Sequence, residues 1–234
     1  MASSKNKATK AKARIVLVDD HPVVRQGFAQ LINQTQDFHV CGEAGDAPSA
    51  MATVKETRPD LTIVDLSLEA TSGLDLIQEI KTHHPKLPVL VLSMHDETLY
   101  AERALRAGAR GYVMKDKPIQ EIMGALHQVL AGEIYLSSRM SGRLLQRIVS
   151  GTTNETDSLI GALSNRELQV FELIGQGHGT RDIAEKLHLS VKTIDTHREN
   201  IKRKLHLSDA IELHQQAFLW MQRLPADGKQ TALR

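Results

Sequence analysis

The chain has 234 residues and a mass of 25.9 kDa, which suits one large domain or two small ones. A single cysteine, Cys41, excludes an internal disulfide and a zinc site built from cysteines. No apolar run approaches the roughly 18 residues of a membrane span, and residues 1–14 lack the apolar segment of a signal peptide. We therefore expect a soluble, cytoplasmic protein that does not bind a membrane.

The net charge of +1 conceals an uneven distribution of charge along the chain. Residues 15–134 contain ten Lys and Arg residues against seventeen Asp and Glu residues. Residues 192–204 contain five basic residues against two acidic ones, and residues 1–14 contain five basic residues and no acidic residue. An acidic body followed by a basic cluster indicates two domains that bind different partners.

The first half of the chain alternates short apolar runs with amphipathic segments. The apolar runs predict five strands, at Ile15–Val18, His39–Ala44, Leu61–Val64, Val89–Leu92 and Gly111–Met114. The amphipathic segments predict five helices, at Val23–Ile32, Ser49–Glu56, Leu74–His83, Thr98–Arg106 and Ile119–Leu130. Runs without polar alternation are typical of strands buried on both faces, and strands that alternate with helices require a parallel sheet. We therefore expect an α/β, doubly wound, five-stranded parallel sheet.

The second half of the chain predicts a small all-α domain. Ser164 and Glu167 have the spacing of a capping box, which opens a helix at Arg166–Ile174. Three further helices are predicted, at Arg181–Leu187, after Ser190 through Leu205, and from Ser208 to about Gln222. We divide the chain into a disordered basic tail (1–12), an α/β domain (13–136), a linker (137–158), an all-α domain (159–224) and a disordered tail (225–234). Within the linker, residues 143–149 could form one or two helical turns.

The predicted strands lead into charged or hydroxyl side chains. Asp19 and Asp20 follow the first strand and Asp65 the third, whereas Ser93 follows the fourth and Lys115 the fifth. The carboxyl ends of the strands form the ligand-binding edge of a doubly wound sheet, so these side chains are expected to converge. Clustered carboxylates suit Mg²⁺, and a carboxylate that attacks phosphorus forms an acyl phosphate, whose charge metal and ammonium can neutralise.

These residues resemble the motifs of a two-component response regulator of the NarL/FixJ class, which joins a receiver domain to a LuxR-type helix-turn-helix. The receiver motifs are Val18-Asp19-Asp20-His21, Val64-Asp65-Leu66-Ser67, Gly73, Leu92-Ser93 and Gly111-Tyr112-Val113-Met114-Lys115. The resemblance implies a flavodoxin/CheY-like receiver fold for the first domain.

By this resemblance Asp65 is the phosphoacceptor, and Mg²⁺ is held by Asp19, Asp20, Asp65 and the carbonyl oxygen of Ser67. Ser93 then receives a phosphoryl oxygen, and Lys115 pairs with the phosphate.

Three neighbouring side chains have less definite roles. Tyr112 occupies the position of an aromatic switch residue, although plain core packing explains it equally well. His21 is expected to be structural, at the start of the first helix. Ser67 and His95 occupy positions that flank the path of the water that hydrolyses the acyl phosphate in this family.

The second domain resembles the LuxR-type helix-turn-helix nearly throughout, from Leu163-Ser164-Asn165-Arg166-Glu167 to Lys204-Leu205. Ile183, Leu187, Ile194 and Ile201 are expected to form its buried stripe, and the second helix of the turn motif is expected to enter the major groove. Hydrogen-bond donors for DNA, mostly for phosphates, are Lys192, Thr193, Arg198, Lys202, Arg203 and Lys204.

Asp195, Thr196 and Glu199 lie at positions that resemble base-reading ones, although a solvated helix face explains them equally well. The final helix carries apolar residues that could pack on their own domain or on a second subunit. For Phe218 we expect packing within its own domain.

The leading hypothesis is a phosphorylation-dependent transcriptional regulator rather than an enzyme. A histidine kinase would phosphorylate Asp65, which would change the domain arrangement, favour a homodimer and strengthen binding to double-stranded promoter DNA. A haloacid-dehalogenase-type phosphatase is the alternative enzyme, but that class has Asp-x-Asp after its first strand, whereas Asp19 and Asp20 are adjacent here. A regulator that binds DNA without phosphorylation is the third hypothesis.

Overall fold

A computed structural model describes residues 11–68, 71–150 and 160–223. The predicted tails, apart from residues 11–12, and the second part of the predicted linker lie outside these ranges. The chain divides into two compact units, one formed by Met1–His95 with Arg103–Tyr135 and the other by Asp96–Glu102 with Leu136–Arg234.

The first unit contains a five-stranded parallel sheet in the order β2-β1-β3-β4-β5. The strands are β1 (Ala13–Val18), β2 (Phe38–Ala44), β3 (Leu61–Val64), β4 (Val89–Ser93) and β5 (Gly111–Met114). The helices that follow them are α1 (Pro22–Asn33), α2 (Ala47–Thr57), α3 (Gly73–His83), α4 (Glu97–Ala107) and α5 (Ile119–Leu130). The start of α4, up to Glu102, is counted with the second unit. The predicted fold class is confirmed, and Ile15–Val18 of β1 and Val89–Leu92 of β4 are buried, as their unbroken apolar runs indicated.

Side chains that alternate along the strands build a core on each face of the sheet. Ile15, Leu17 and Ile63 belong to one core together with residues of α1 and α5. Val16 lies on the opposite side, where Gly42 leaves space against Thr53 of α2. Covering both faces excludes water from the sheet, so the polar side chains of this unit that act on ligands must lie at its edges.

The second unit contains a short helix bundle. Its helices are α6 (Ser138–Ser150), α7 (Asn165–Gly175), α8 (Thr180–Lys186), α9 (Val191–Leu205) and α10 (Ala210–Arg223). The helix α6 occupies the first part of the predicted linker and is longer than the one or two turns expected there. Among the described helices, none has the length and apolar character that a membrane crossing requires.

The capping box predicted at the start of α7 is present. Ser164 Oγ accepts from the backbone N–H of Glu167, and a Glu167 carboxylate oxygen accepts from the Ser164 N–H over 2.7 Å. At the other end of α7, a β-carbon on Gly175 would lie 2.6 Å from the Ala217 carbonyl oxygen of α10. This close crossing admits only glycine, which explains the residue at that position.

Candidate functional site

Backbone hydrogen bonds bring the predicted site residues to one edge of the sheet. The Asp65 N–H donates to the Val18 carbonyl over 2.9 Å, so Asp65 emerges beside Asp19, the residue after Val18. The Lys115 N–H donates to the Ser93 carbonyl over 2.8 Å, which ties the end of β5 to that of β4. The parallel register therefore places all these strand ends together, as the sequence predicted.

Three carboxylates and a histidine form the polar cluster at this edge. One ligand atom from each of Asp19, Asp20, His21 and Asp65 lies within 4.8 Å of the others. Asp19 and Asp65 are 2% and 3% exposed, and Asp65 Oδ1 has no hydrogen-bond partner among the described residues. Buried carboxylate oxygens without a partner are costly. An oxygen-rich cluster of this kind fits a hard divalent cation such as Mg²⁺, which keeps several waters and needs few protein ligands.

Lys115 supplies the positive charge of the cluster. Its Nζ lies 2.6 Å from Asp19 Oδ2 and 2.6 Å from Asp65 Oδ2. Burial lowers the pKa of Lys115, but the neighbouring Asp65 and Asp19 carboxylates outweigh it and raise the pKa above its ordinary value. The ammonium therefore stays charged at all physiological pH values.

Asp20 lies at the more open side of the cluster. Burial raises the pKa of this carboxyl, an effect that His21 partly offsets and that the charges of Asp65 and Asp19 reinforce. A bound cation would relieve the repulsion among the three carboxylates.

The hydroxyl side chains of the site are held in a small network around His95. Ser67 Oγ and His95 Nε2 are 3.1 Å apart, and the His95 N–H donates to Ser93 Oγ over 3.4 Å. Tyr112, which is buried, donates its hydroxyl hydrogen to the His95 carbonyl oxygen over 2.8 Å. Sequence reasoning missed this acceptor, because a backbone carbonyl leaves no signal in the sequence.

Gly73 permits the tight packing behind the site. A β-carbon at this position would lie 2.1 Å from the Asp65 carbonyl oxygen and 2.7 Å from Leu66 Cα. The Gly73 N–H also donates to the Leu66 carbonyl over 3.0 Å. The segment after β3 thus folds back over its own strand end, and no side chain fits between them.

The helix α9 of the second unit has one exposed face. Its polar members recur at helical spacing, with Asp195 and Thr196 adjacent, and they are Lys192, Asp195, Thr196, Glu199 and Arg203. Ile194 and Ile201 are fully buried on the opposite side, as predicted, with Ile183 of α8, whereas Leu187 is half-buried.

Several polar side chains of α9 are already engaged within the unit. Lys204 donates to the buried Glu167 carboxylate over 2.6 Å, Lys202 pairs with Glu199 at 2.8 Å, and Thr193 Oγ1 lies 2.8 Å from Ser190 Oγ. The side chains of Lys192 and Arg198, in contrast, form no hydrogen bond or ion pair within the described part of the chain, although the Lys192 carbonyl accepts from Thr196 Oγ1. The predicted donors therefore differ in how readily they can reach another molecule.

His197 of α9 is half-buried. Burial lowers its pKa, which the Glu167 carboxylate offsets only in part. The imidazole is therefore harder to protonate than an exposed one, as its half-buried position requires.

The helix α10 buries a stripe formed by Leu213, Ala217 and Trp220, and Trp220 packs on Phe171 with ring centroids 5.3 Å apart. The expectation that Phe218 packs within its own domain is wrong, because Phe218 is 54% exposed. It follows Ala217 by about 100° around the helix, so it points away from the buried stripe.

Both units match known protein families. Residues 15–127 match the response regulator receiver domain, and residues 161–217 match the LuxR family of bacterial regulatory proteins. The oxygen regulatory protein NreC of Staphylococcus carnosus is 37% identical over 209 residues, which cover 88% of this chain and 96% of NreC. NreC of Staphylococcus aureus strain JH9 is 38% identical over 210 residues, with the same coverage of both chains.

Solved structures agree with these matches. A two-component response regulator of the LuxR family from Aurantimonas sp. SI85-9A1 is 34% identical, with a TM-score of 0.56, and the match covers 59% of this chain and 99% of that one. RcsB from Salmonella enterica serovar Typhimurium, solved with promoter rprA and the phosphomimetic BeF3-, is 26% identical, with a TM-score of 0.58. The match covers 89% of this chain and 99% of that one. This chain therefore belongs to the response regulators of two-component systems that join a receiver domain to a LuxR-type DNA-binding domain, a family of transcription regulators rather than enzymes.

Proposed function

We propose that Asp65 accepts a phosphoryl group from a histidine kinase, and that this reaction controls binding of the second domain to promoter DNA. The observation that supports it most strongly is the position of Lys115 Nζ, which lies 2.6 Å from both Asp19 and Asp65 at the ligand-binding edge of the sheet. The two carboxylates and the ammonium come from three different strand ends, which is a costly arrangement to bury without a function.

The residues present would hold Mg²⁺ through Asp19, Asp20, Asp65 and the carbonyl oxygen of Ser67, and the ion would neutralise charge on the phosphoryl oxygens. A carboxylate oxygen of Asp65 bonds to phosphorus as the phosphorus–nitrogen bond to the kinase histidine breaks, which leaves an acyl phosphate on this chain. Ser93 would donate to one phosphoryl oxygen, and Lys115 would exchange its bond to Asp65 for one to the phosphate. Tyr112 would respond to the movement of Ser93 through the loop that carries His95.

Chemical labelling tests the phosphoacceptor. With acetyl phosphate and Mg²⁺ as the phosphoryl donor, the full chain should gain a single acid-stable, alkali-labile label. The Asp65→Asn variant should gain none, whereas Asp116→Asn, which changes an exposed carboxylate just after Lys115, should be labelled like the unmodified protein. Labelling of Asp65→Asn at the normal rate would refute the assignment.

We assign the DNA contacts to α9. The exposed face would supply the base contacts through Asp195, Thr196 and Glu199, since carboxylates accept from cytosine N4 and threonine contacts the thymine methyl group. The other α9 residues that we assign to DNA binding would contact phosphates, and they are Lys192, Thr193, Arg198, Lys202, Arg203 and Lys204. Lys202 and Lys204 would first have to release their carboxylate partners, so we expect them to contribute least.

One copy of α9 carries only five basic residues, so two copies on a two-fold site are needed for tight binding. We propose that phosphorylation favours a homodimer that binds inverted half-sites in the cytoplasm. Titration of such DNA at matched salt, before and after phosphorylation, should show tighter binding by the phosphorylated chain, with a monomer-to-dimer shift in light scattering. Equal affinities would refute the switch and leave the DNA-binding assignment standing.

A further inference from the structure

A cavity of about 790 Å³ lies at the amino edge of the receiver sheet, at the other end of the strands from the carboxylate cluster. It is lined by the residue at or just before the start of each strand, namely Ala13, Phe38, Asp60, Pro88 and Arg110. Residues from the last turns of α3 and α5 complete the lining. Sites for small molecules typically have volumes of about 300–1,000 Å³, so this cavity has the size of such a site.

Lys81 of α3 brings a half-buried positive charge to the cavity. Its ammonium donates to the carbonyl oxygens of Pro85 over 3.0 Å and of Leu87 over 2.9 Å. Its aliphatic stem packs against Gly108, where a β-carbon would clash with Lys81 Cγ. The side chain is therefore held in place by carbonyl groups and packing, neither of which neutralises its charge. An ammonium has three donors, so one N–H remains for a ligand.

Arg110 lies close to Lys81 and adds a second positive charge. Its backbone is fixed, because its N–H donates to the Val89 carbonyl over 2.7 Å and its carbonyl accepts from the Tyr135 N–H over 3.0 Å. Burial lowers the pKa of Lys81, and the Arg110 guanidinium lowers this pKa further. Within the described part of the chain, neither side chain pairs with a carboxylate, nor does Lys86 at the same cavity. Like charges without a counter-charge repel each other.

The two carboxylates that line the cavity have other partners. Asp37 Oδ2 lies 3.5 Å from His127 Nε2, and Asp60 Oδ2 accepts from the Arg14 backbone N–H over 2.8 Å. The ten residues that precede Ala11 contain three lysines and no acidic residue, so they bring no negative charge. The counter-charge for the cavity would therefore have to come from another molecule.

We propose that this cavity binds a small organic anion, whose carboxylate or phosphate oxygens contact Arg110 and Lys81. The guanidinium presents a planar fork of donors that matches either group. The cavity is larger than a phosphate ion, and Pro88 and Leu130 offer apolar surface for the rest of the ligand. At about 3.3 Å per residue, the four residues of β3 separate this edge from that of Asp65 by about 13 Å, so the ligand does not compete with phosphorylation.

Two aromatic anions serve as probes on the full chain, phenyl phosphate and phenylacetate, with benzyl alcohol as their uncharged counterpart. Amide NMR spectra locate the binding site and give the dissociation constants. We expect saturable shifts at Arg110, Gly132 and their neighbours with the anions and none with benzyl alcohol. The anion with the lower dissociation constant identifies phosphate or carboxylate as the preferred group.

Substitutions separate this site from the rest of the receiver unit. Arg110→Gln should raise the dissociation constant of the tighter probe at least about fivefold, since one charged donor group is lost. Because Arg110 is exposed, its unfolding midpoint should not change. The matched control is Lys55→Gln, which removes an exposed cation of α2 outside the cavity and should not alter binding. Asp65→Asn should bind the probe at the amino edge as tightly as the unmodified chain.

An unchanged dissociation constant in Arg110→Gln would overturn the proposal, and so would saturable shifts confined to the edge that carries Asp65. Binding of benzyl alcohol as tight as that of the anions would refute the role of charge. Inorganic phosphate that binds as tightly as phenyl phosphate would refute an organic ligand. None of these results bears on the phosphoacceptor, which the labelling of Asp65 tests separately.

Discussion

Lys115 Nζ donates to Asp65 Oδ2 over 2.6 Å, so the residue after β5 neutralises the residue after β3. In Lys115→Met the two buried carboxylates Asp19 and Asp65 lose their counter-charge, and we expect the receiver unit to lose about 3 kcal/mol of stability without metal. Added Mg²⁺ should restore more stability to this variant than to the unmodified protein, because the metal no longer competes with the ammonium.

Denaturant unfolding with and without Mg²⁺ measures both effects. Asp65 should still accept a label in Lys115→Met, since the carboxylate remains, while the gain in DNA affinity on phosphorylation should shrink. A variant as stable as the unmodified protein in the absence of Mg²⁺ would contradict the role of Lys115.

Gly73→Ala should disturb the phosphoacceptor strand end. The new methyl group would lie 2.1 Å from the Asp65 carbonyl oxygen, so the backbone must move, at a cost of about 1–3 kcal/mol. We expect slower labelling by acetyl phosphate together with a lower unfolding midpoint. Gly124→Ala in α5 is the matched control, because no atom lies within 4 Å of its new methyl group, and it should be neutral or stabilising. Equal effects of Gly73→Ala and Gly124→Ala would argue against the close approach of Gly73 to the Asp65 carbonyl oxygen.

The acyl phosphate should be moderately long-lived. Ser67 and His95 flank the site and are 3.1 Å apart, and neither is a carboxylate or an amide suited to orienting a water molecule. Loss of the label after removal of acetyl phosphate measures the lifetime, and a half-life of seconds would contradict this expectation. Replacing both residues by alanine should change the rate of loss, whereas an unchanged rate would show that neither side chain affects access of water.

Because of Glu167, the stability of the DNA-binding domain should decrease at acidic pH. Burial raises the pKa of this carboxyl, but the bonds from Lys204 and Ser164 outweigh it and lower the pKa below its ordinary value of 4.5. The unfolded state therefore binds the proton more readily, so the stability that Glu167 contributes is complete above pH 4.5 and is lost as the pH falls through the lower folded-state value.

The variant Glu167→Gln should lose about 2 kcal/mol at neutral pH and show a weaker loss of stability in acid. Thermal unfolding measured from neutral pH down to pH 3 gives both the loss of stability at neutral pH and the acid dependence. Asp182→Asn, which changes an exposed carboxylate in α8, serves as the control and should keep the steeper acid response of the unmodified protein. An unaltered pH profile in Glu167→Gln would show that the ion pair with Lys204 carries no stability.

Lys192 should contribute to DNA affinity without reading sequence. It is exposed at the start of α9, and its ammonium has no partner in the described part of the chain, so Lys192→Ala should weaken binding to all sequences alike. The slope of log affinity against log salt should fall by about one per subunit. Thr196→Ala should leave the salt slope unchanged and instead relax the preference at one base pair. A change of sequence preference in Lys192→Ala would contradict its assignment to phosphate.

The sequence predicted the fold and the convergence of the site because both depend on simple rules. Unbroken apolar runs identify β1 and β4 as buried strands, and a parallel sheet must bring Asp19 and Asp65 to one edge. That these two ends are neighbours follows from the strand order β2-β1-β3-β4-β5, which the structure supplies.

The unpredicted features depend on contacts between distant residues. The direction of Phe218 depends on which face of α10 crosses α7, and the partner of Lys204 lies 37 residues earlier in the chain. The contact of His21 with the adjacent Asp20 is local, and it was not predicted because a histidine at a helix start is compatible with a purely structural role.

Glu167 serves two helix ends at once: it closes the capping box of α7 and holds Lys204 in the last turn of α9. The far end of α9, the helix to which we assign the DNA contacts, is therefore anchored in the free protein, and the angle of α9 to α7 is part of the folded state. A preorganised helix of this kind loses little conformational freedom on binding, so a mutation at Glu167 should reduce affinity for correct and incorrect sequences together. We therefore expect that substitutions on the exposed face of α9 alter sequence selectivity. Substitutions at the buried Glu167–Lys204 pair should instead alter the rigidity of α9.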